Sequence, residues 1–185
     1  MGNRGNVIFH NGKEISCNIY CHWNGGAESI YNFIAEGNKR KSISHCVDYA
    51  AARFIQIVGE FMDGDGNQDG TSLGVVNGPK AITIKELRKV QTDSGDNGFF
   101  VFDIRDWSCR RFTEHAKKNG NDYTFTLVEM SKKNVAKEFE EAKKSAYTKE
   151  FAEFFDKLRY KKYGVIADKN PVVIKDMAIR DFVTI

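Results

Sequence analysis

ISCNIYCHWNGG, from Ile15 to Gly26, is the stretch whose reading decides the fold. Apolar and polar residues alternate from Ile15 to Cys21, the period of a strand with one buried face. Ile15, Cys17, Ile19 and Cys21 point one way, while Ser16, Asn18, Tyr20 and His22 point the other. The first set belongs to the core, so His22 lies with Tyr20 on the more polar face. Upstream, Val7-Ile8-Phe9 and the Asn11-Gly12 pair complete a hairpin, because Asn-Gly accepts the positive φ angles of tight turns. The sheet therefore begins antiparallel. Downstream, Gly25-Gly26 ends the strand and a helical pattern follows at once.

That pattern, Ala27 to Glu36, sets Ile30, Phe33 and Ile34 on one face and stops at Gly37-Asn38. Ser44 caps a longer helix to about Met62, along which Val47, Ala51, Phe54, Val58 and Phe61 recur at helical spacing. Thr83 and Glu86 form a capping box ahead of Ile84, Leu87 and Val90, predicting a short helix. Phe99 to Ile104 and Ser108 to Thr113 flank Arg105-Asp106-Trp107 as a second hairpin, and Tyr123 to Met130 reads as a further strand. From Ser131 to about Lys162 runs a long helical segment whose apolar stripe steps near Ala146 to Thr148, predicting a bend or break. The expected architecture is α+β: one domain over residues 1–164, an antiparallel sheet built from hairpins packed against helices, with a long C-terminal helical segment. Residues 165–185 form a tail suited to an edge strand or to a partner.

Composition agrees with one domain. A chain of 185 residues, 41% hydrophobic, with only Pro79 and Pro171 and no Ser/Gly/Pro-rich linker, has enough apolar material for one core. Its apolar runs fall far short of the roughly 18 to 20 residues that span a bilayer, and MGNRGNVIFHNG has no long apolar export core. Asn6 stands where a myristoylation motif wants Ser or Thr. A cytoplasmic setting without membrane association is the expectation. Cys17, Cys21, Cys46 and Cys109 then remain free thiols, and with no C-x-x-C pair among them zinc is not expected. The net charge of +3 is mild for a duplex-DNA binder. Short basic clusters exist, among them Arg110-Arg111 and the Arg159 to Tyr163 run RYKKY. That run interleaves rings and cations, as single-strand-binding surfaces do, but better suits the end of a helix.

Two motifs carry candidate chemistry. In MDGDGNQDGTS, residues Asp65, Asn67, Asp69 and Gly70 match the first, third, fifth and sixth positions of a calcium-binding EF-hand loop. Val76 stands where the bidentate Glu belongs, so any calcium site would be weak, and no cofactor is expected. The HWNGG turn has three uses. Its glycine N–H groups suit an anion, though Glu28 offsets the helix dipole there. His22 with Glu28 would form an acid–base pair, but no nucleophile accompanies it. Alternatively Trp23 packs over the helix and Asn24 caps it.

Several of these segments together carry a resemblance. Met1-Gly2-Asn3-Arg4, His22-Trp23-Asn24-Gly25-Gly26-x-Glu28-Ser29, Ala52-Arg53-Phe54-x-Gln56-x-x-Gly59-Glu60 and Ser72-Leu73-Gly74 to Asn77-Gly78-Pro79 resemble a family of small bacterial proteins also seen on mobile elements. The resemblance covers about the first half of the chain, to Gly98, and carries no established activity. It implies an accessory role such as blunting a host defence. Three functions follow, in order. The first is a non-enzymatic protein-binding protein, such as an inhibitor of a nucleic-acid-targeting defence complex of the CRISPR effector kind. Its anchors would be Trp23, Asn24, Trp107, Arg110, Arg111 and Tyr160. The second is an RNA, single-stranded DNA or nucleotide binder, and the third a small enzyme centred on His22.

Overall fold

Val7-Ile8-Phe9 and Phe99-Phe100-Val101-Phe102 are apolar without alternation, which marks strands buried on both faces. They lie side by side at the middle of the sheet. The computed structural model describes residues 3–40, 46–64, 73–90, 97–119 and 122–163. The elements in order are β1 (Gly5–His10), β2 (Asn18–Cys21), α1 (Ala27–Lys39), α2 (Val47–Gly64), β3 (Leu73–Val76), α3 (Ile84–Val90), β4 (Phe99–Asp103), β5 (Cys109–Asn119), β6 (Asp122–Glu129), α4 (Lys132–Lys144) and α5 (Ala146–Tyr163). The six strands form one sheet in the order β3-β2-β1-β4-β5-β6. It is mixed: β1 and β4 run parallel, with Phe9 beside Phe102, while the other neighbours pair antiparallel, β1 with β2 and β4 with β5 as the hairpin signals predict. The fold is thus a single α+β domain.

The larger core lies on one face. Val7, Phe9, Ile19, Cys21, Phe100 and Phe102 meet Ile30, Phe33 and Ile34 of α1, Phe54 and Val58 of α2, Phe139 of α4 and Phe151 and Phe155 of α5. Among the described residues the other face is covered by α3, whose Leu87 seals Ile8, Phe99, Val101, Phe112 and Leu127. Thr83 Oγ1 accepts from the N–H of Glu86, as the capping box requires. The buried Asn18 amide donates to the Asn6 side chain and to the carbonyl of Val90, tying the end of α3 to the sheet.

Three local departures from the sequence pattern have clear causes. The first hairpin closes through a longer turn, in which Asn11 Oδ1 accepts from the N–H groups of Lys13 and Glu14. Because pairing is irregular from Ile15 to Cys17, Ile15 joins the α3-side core while Cys17 stays with the helix-side core, instead of sharing one face. Helix α1 runs past Gly37 to Lys39, where Arg40 bonds both Glu36 and Glu60 of α2 and holds the last turn. The expected break in the C-terminal helical segment falls at Ser145. There Thr148 Oγ1 donates to the carbonyl of Ala142 and accepts from Asn32 of α1. Residues 164–185, including the tail, lie outside the described residues.

Candidate functional site

The HWNGG turn is built by two backbones in contact. The N–H of Gly25 donates to the carbonyl of Asn3 at 2.7 Å, and a Cβ on Gly25 would overlap the backbone of Gly5. Glycine at both places allows the N-terminal segment to lie directly on the turn. The Gly25 N–H is therefore committed within the protein, which removes it from any anion site. Asn24 does not cap α1; the N-cap is Gly26, with no side-chain bond. Asn24 instead takes the left-handed conformation, φ 56°, and its side chain meets Met62 of α2 and Ser29 of α1.

What the turn leaves outward is aromatic. Trp23 is 42% exposed, and its ring meets His22 edge-on with centroids 5.0 Å apart. His22 Nδ1 shares a hydrogen bond with the Tyr20 hydroxyl at 3.1 Å. With Leu73 and Gly74 of the edge strand β3, these three side chains line a shallow open recess of about 390 Å³. Opposite Tyr20 stands Gly74, which has no side chain to fill that space. Glu28, the expected acid–base partner, forms no hydrogen bond or ion pair with His22 among the described residues. Among those residues, too, no cluster of three His, Cys, Asp or Glu side chains could hold a metal ion. The calcium-loop residues Asp65, Asn67 and Asp69 lie outside the described residues, as does the side chain of Tyr160.

The remaining expected anchors are engaged in the fold. Arg111 is 2% exposed, a correction to its reading as a surface anchor. Its guanidinium makes a two-pronged ion pair with Glu138 of α4, at 2.8 and 3.2 Å, and donates to the Phe99 carbonyl. It lies 3.4 Å over the Phe100 ring. The Tyr31 hydroxyl donates to the same Glu138, and burial raises that phenol well above its ordinary range. Arg110 is exposed, but both carboxylate oxygens of Glu129 hold it, at 2.7 and 2.9 Å. Trp107 sits half-buried against the larger core with φ 60°, an unusual conformation for a bulky residue, at the β4–β5 turn.

Sequence reading missed one polar group, at the C-terminal ends of the parallel pair. Arg105 clamps Asp103 through Nε and Nη2, and His10 Nδ1 lies 3.9 Å from the same carboxylate. The Arg105 hydrogen bonds hold Asp103 below the usual carboxylate range, while burial lowers His10 despite the neighbouring carboxylate. This arrangement can retain a neutral imidazole, but among the described residues no nucleophile is bonded to it. The signal available in sequence was the polar residue ending each apolar run, His10 and Asp103.

Comparison of the chain with protein-family models, with curated proteins and with solved structures finds no match in any of the three. Among the described residues no helix is long and apolar enough to cross a membrane.

Proposed function

We propose that this chain acts by binding a protein partner, without catalysis of its own, and that the Trp23 recess receives that partner. The observation that carries this reading is the division of labour within the turn. Gly25 and Asn24 are used by the fold, whereas Trp23 is left outward beside an open recess. Exposed tryptophan at the rim of a recess is the residue type on which interface energy concentrates. The recess borders the outer edge of β3, where Val75 is also exposed, so an extended segment of the partner can add backbone hydrogen bonds. An enzymatic reading at His22 has no nucleophile and no paired base to support it.

The proposal includes a cytoplasmic setting, in which the four cysteines stay reduced. An inhibitory role against a nucleic-acid-targeting defence complex is what the resemblance to mobile-element proteins implies, and it needs only a covering surface. The test is affinity capture of the tagged chain from host lysate, with and without nuclease, at low and high salt, beside Trp23→Ala. A stoichiometric protein partner that survives nuclease and salt, and is lost with Trp23→Ala at unchanged melting temperature, is expected. Equal capture by both chains would overturn the assignment of the site.

A further inference from the structure

Strand β5 pairs with β4 only through Cys109–Phe112, yet continues to Asn119 beside β6. Beyond Phe112 the two strands stand as a ribbon, about 20 Å long at the usual rise per residue. The short helix α3 covers only its base, over Leu127. On the same face, two and four residues before Leu127, Phe125 and Tyr123 are 56% and 58% exposed. Alternation puts these rings roughly 7 Å apart along the strand.

We propose that this face of the β5–β6 ribbon binds single-stranded nucleic acid, with Tyr123 and Phe125 stacking on successive bases. Sheet faces with two rings at alternating positions are suited to splayed bases, and stacking needs the ring faces uncovered. The register provides that. Ala116 stands opposite Phe125 and leaves its ring unscreened, while Lys118 stands opposite Tyr123 and brings a cation for phosphate. A second cation is held beside the backbone of β6, where Arg88 Nη2 donates to the Phe125 carbonyl at 3.3 Å. Asp122 and Lys117 lie on the opposite face by alternation. The carboxylates sharing the ring face are Glu114, opposite Leu127 near α3, and Glu129, neutralised by Arg110.

A protein strand adding to the β6 edge, or a second copy of this chain, is less well matched. The Phe125 carbonyl at that edge already accepts from Arg88, so a pairing strand must displace the guanidinium. The ribbon and the Trp23 recess lie at opposite edges of the sheet. Both can therefore be occupied at once, as by one nucleoprotein complex.

The test is fluorescence anisotropy of the full chain with labelled oligo(U) and oligo(dT), and with a duplex of the same length, across a salt series. Tighter binding of the single strands than of the duplex is expected, weakening as salt rises. Tyr123→Ala and Phe125→Ala should each reduce affinity about tenfold, and Tyr123→Phe, which keeps the ring, should restore most of it. Lys118→Gln should lower the salt slope by about 0.7. All three side chains are exposed, so circular dichroism and melting temperature should be unchanged. Comparison of oligo(U) with oligo(dT) decides between RNA and DNA as the source. No salt-dependent binding, or binding indifferent to both alanine variants, would overturn the proposal. So would a concentration-dependent dimer in sedimentation that Phe125→Ala abolishes, since the ring would then serve protein contact.

Discussion

Glu138→Ala tests the ion pair that holds the buried Arg111. The substitution leaves the Arg111 guanidinium buried, at 2% exposure, without its carboxylate. Breaking a buried pair in this way typically costs about 3–5 kcal/mol. The Phe99 carbonyl at 2.6 Å and the Phe100 ring remain as partial company for the charge, which places the ion-pair loss at the lower end. Tyr31 loses its acceptor as well, worth about 1 kcal/mol. The expected total is about 4 kcal/mol, or about 8–16 °C in melting temperature for a chain of this size. Urea denaturation followed by circular dichroism measures it. The partner substitution Arg111→Met makes the argument specific, because with no cation left behind, Glu138→Ala in that background should cost at least about 1.5 kcal/mol less. A loss under about 1 kcal/mol for Glu138→Ala, or an equal loss in both backgrounds, would refute the reasoning.

Acid should act through the His10 group in two stages. His10 is lowered from about 6.5 in the folded chain, so the unfolded state binds more protons below that value and stability is lost as pH falls below it. Asp103 is lowered from 3.8, so its contribution is present above that value and is lost as pH falls through its lower folded value. His10→Gln should flatten the first limb of a stability–pH curve and leave the second; an unchanged first limb would remove His10 as its source. Thiol titration of the native chain should find Cys46 reacting fastest, since it is exposed while burial pushes Cys21 and Cys109 up to about 12. Cys46→Ser should abolish that fast phase. Gly98 has φ +64°, and a Cβ there would overlap the Phe112 carbonyl, so Gly98→Ala should destabilise by more than about 2 kcal/mol in urea.

Much of the architecture was legible because its signals are local. The capping box at Thr83, the break at Ser145 and both hairpins each depend on residues a few positions apart. The parallel pairing of β1 with β4 was not, since it joins segments more than ninety residues apart with no turn to announce it. Arg110 and Arg111 show the same limit. Alternation sends them to opposite faces, but only the distant Glu138 reveals that Arg111 is the buried one. At the candidate site, the aromatic character of the turn was readable. The role of its glycine was not, because that depends on Asn3 and Gly5 crossing beneath it. Tyr123 and Phe125 read as ordinary strand residues, and their exposure follows from the shortness of α3.

The parallel centre of the sheet also bears on how the chain is made. Strand β1 leaves the ribosome well before its central neighbour β4, which begins only at Phe99, and α4 and α5 come later still. Until then Val7, Ile8 and Phe9 have only β2 beside them and an incomplete covering of helices. Closing contacts over such a separation is slow, and a nascent apolar strand with an open edge invites the wrong partner. Synthesis of this protein therefore includes an interval in which β1 must be shielded, by the β2 hairpin and α1 or by a chaperone, before β4 to β6 arrive to complete the sheet.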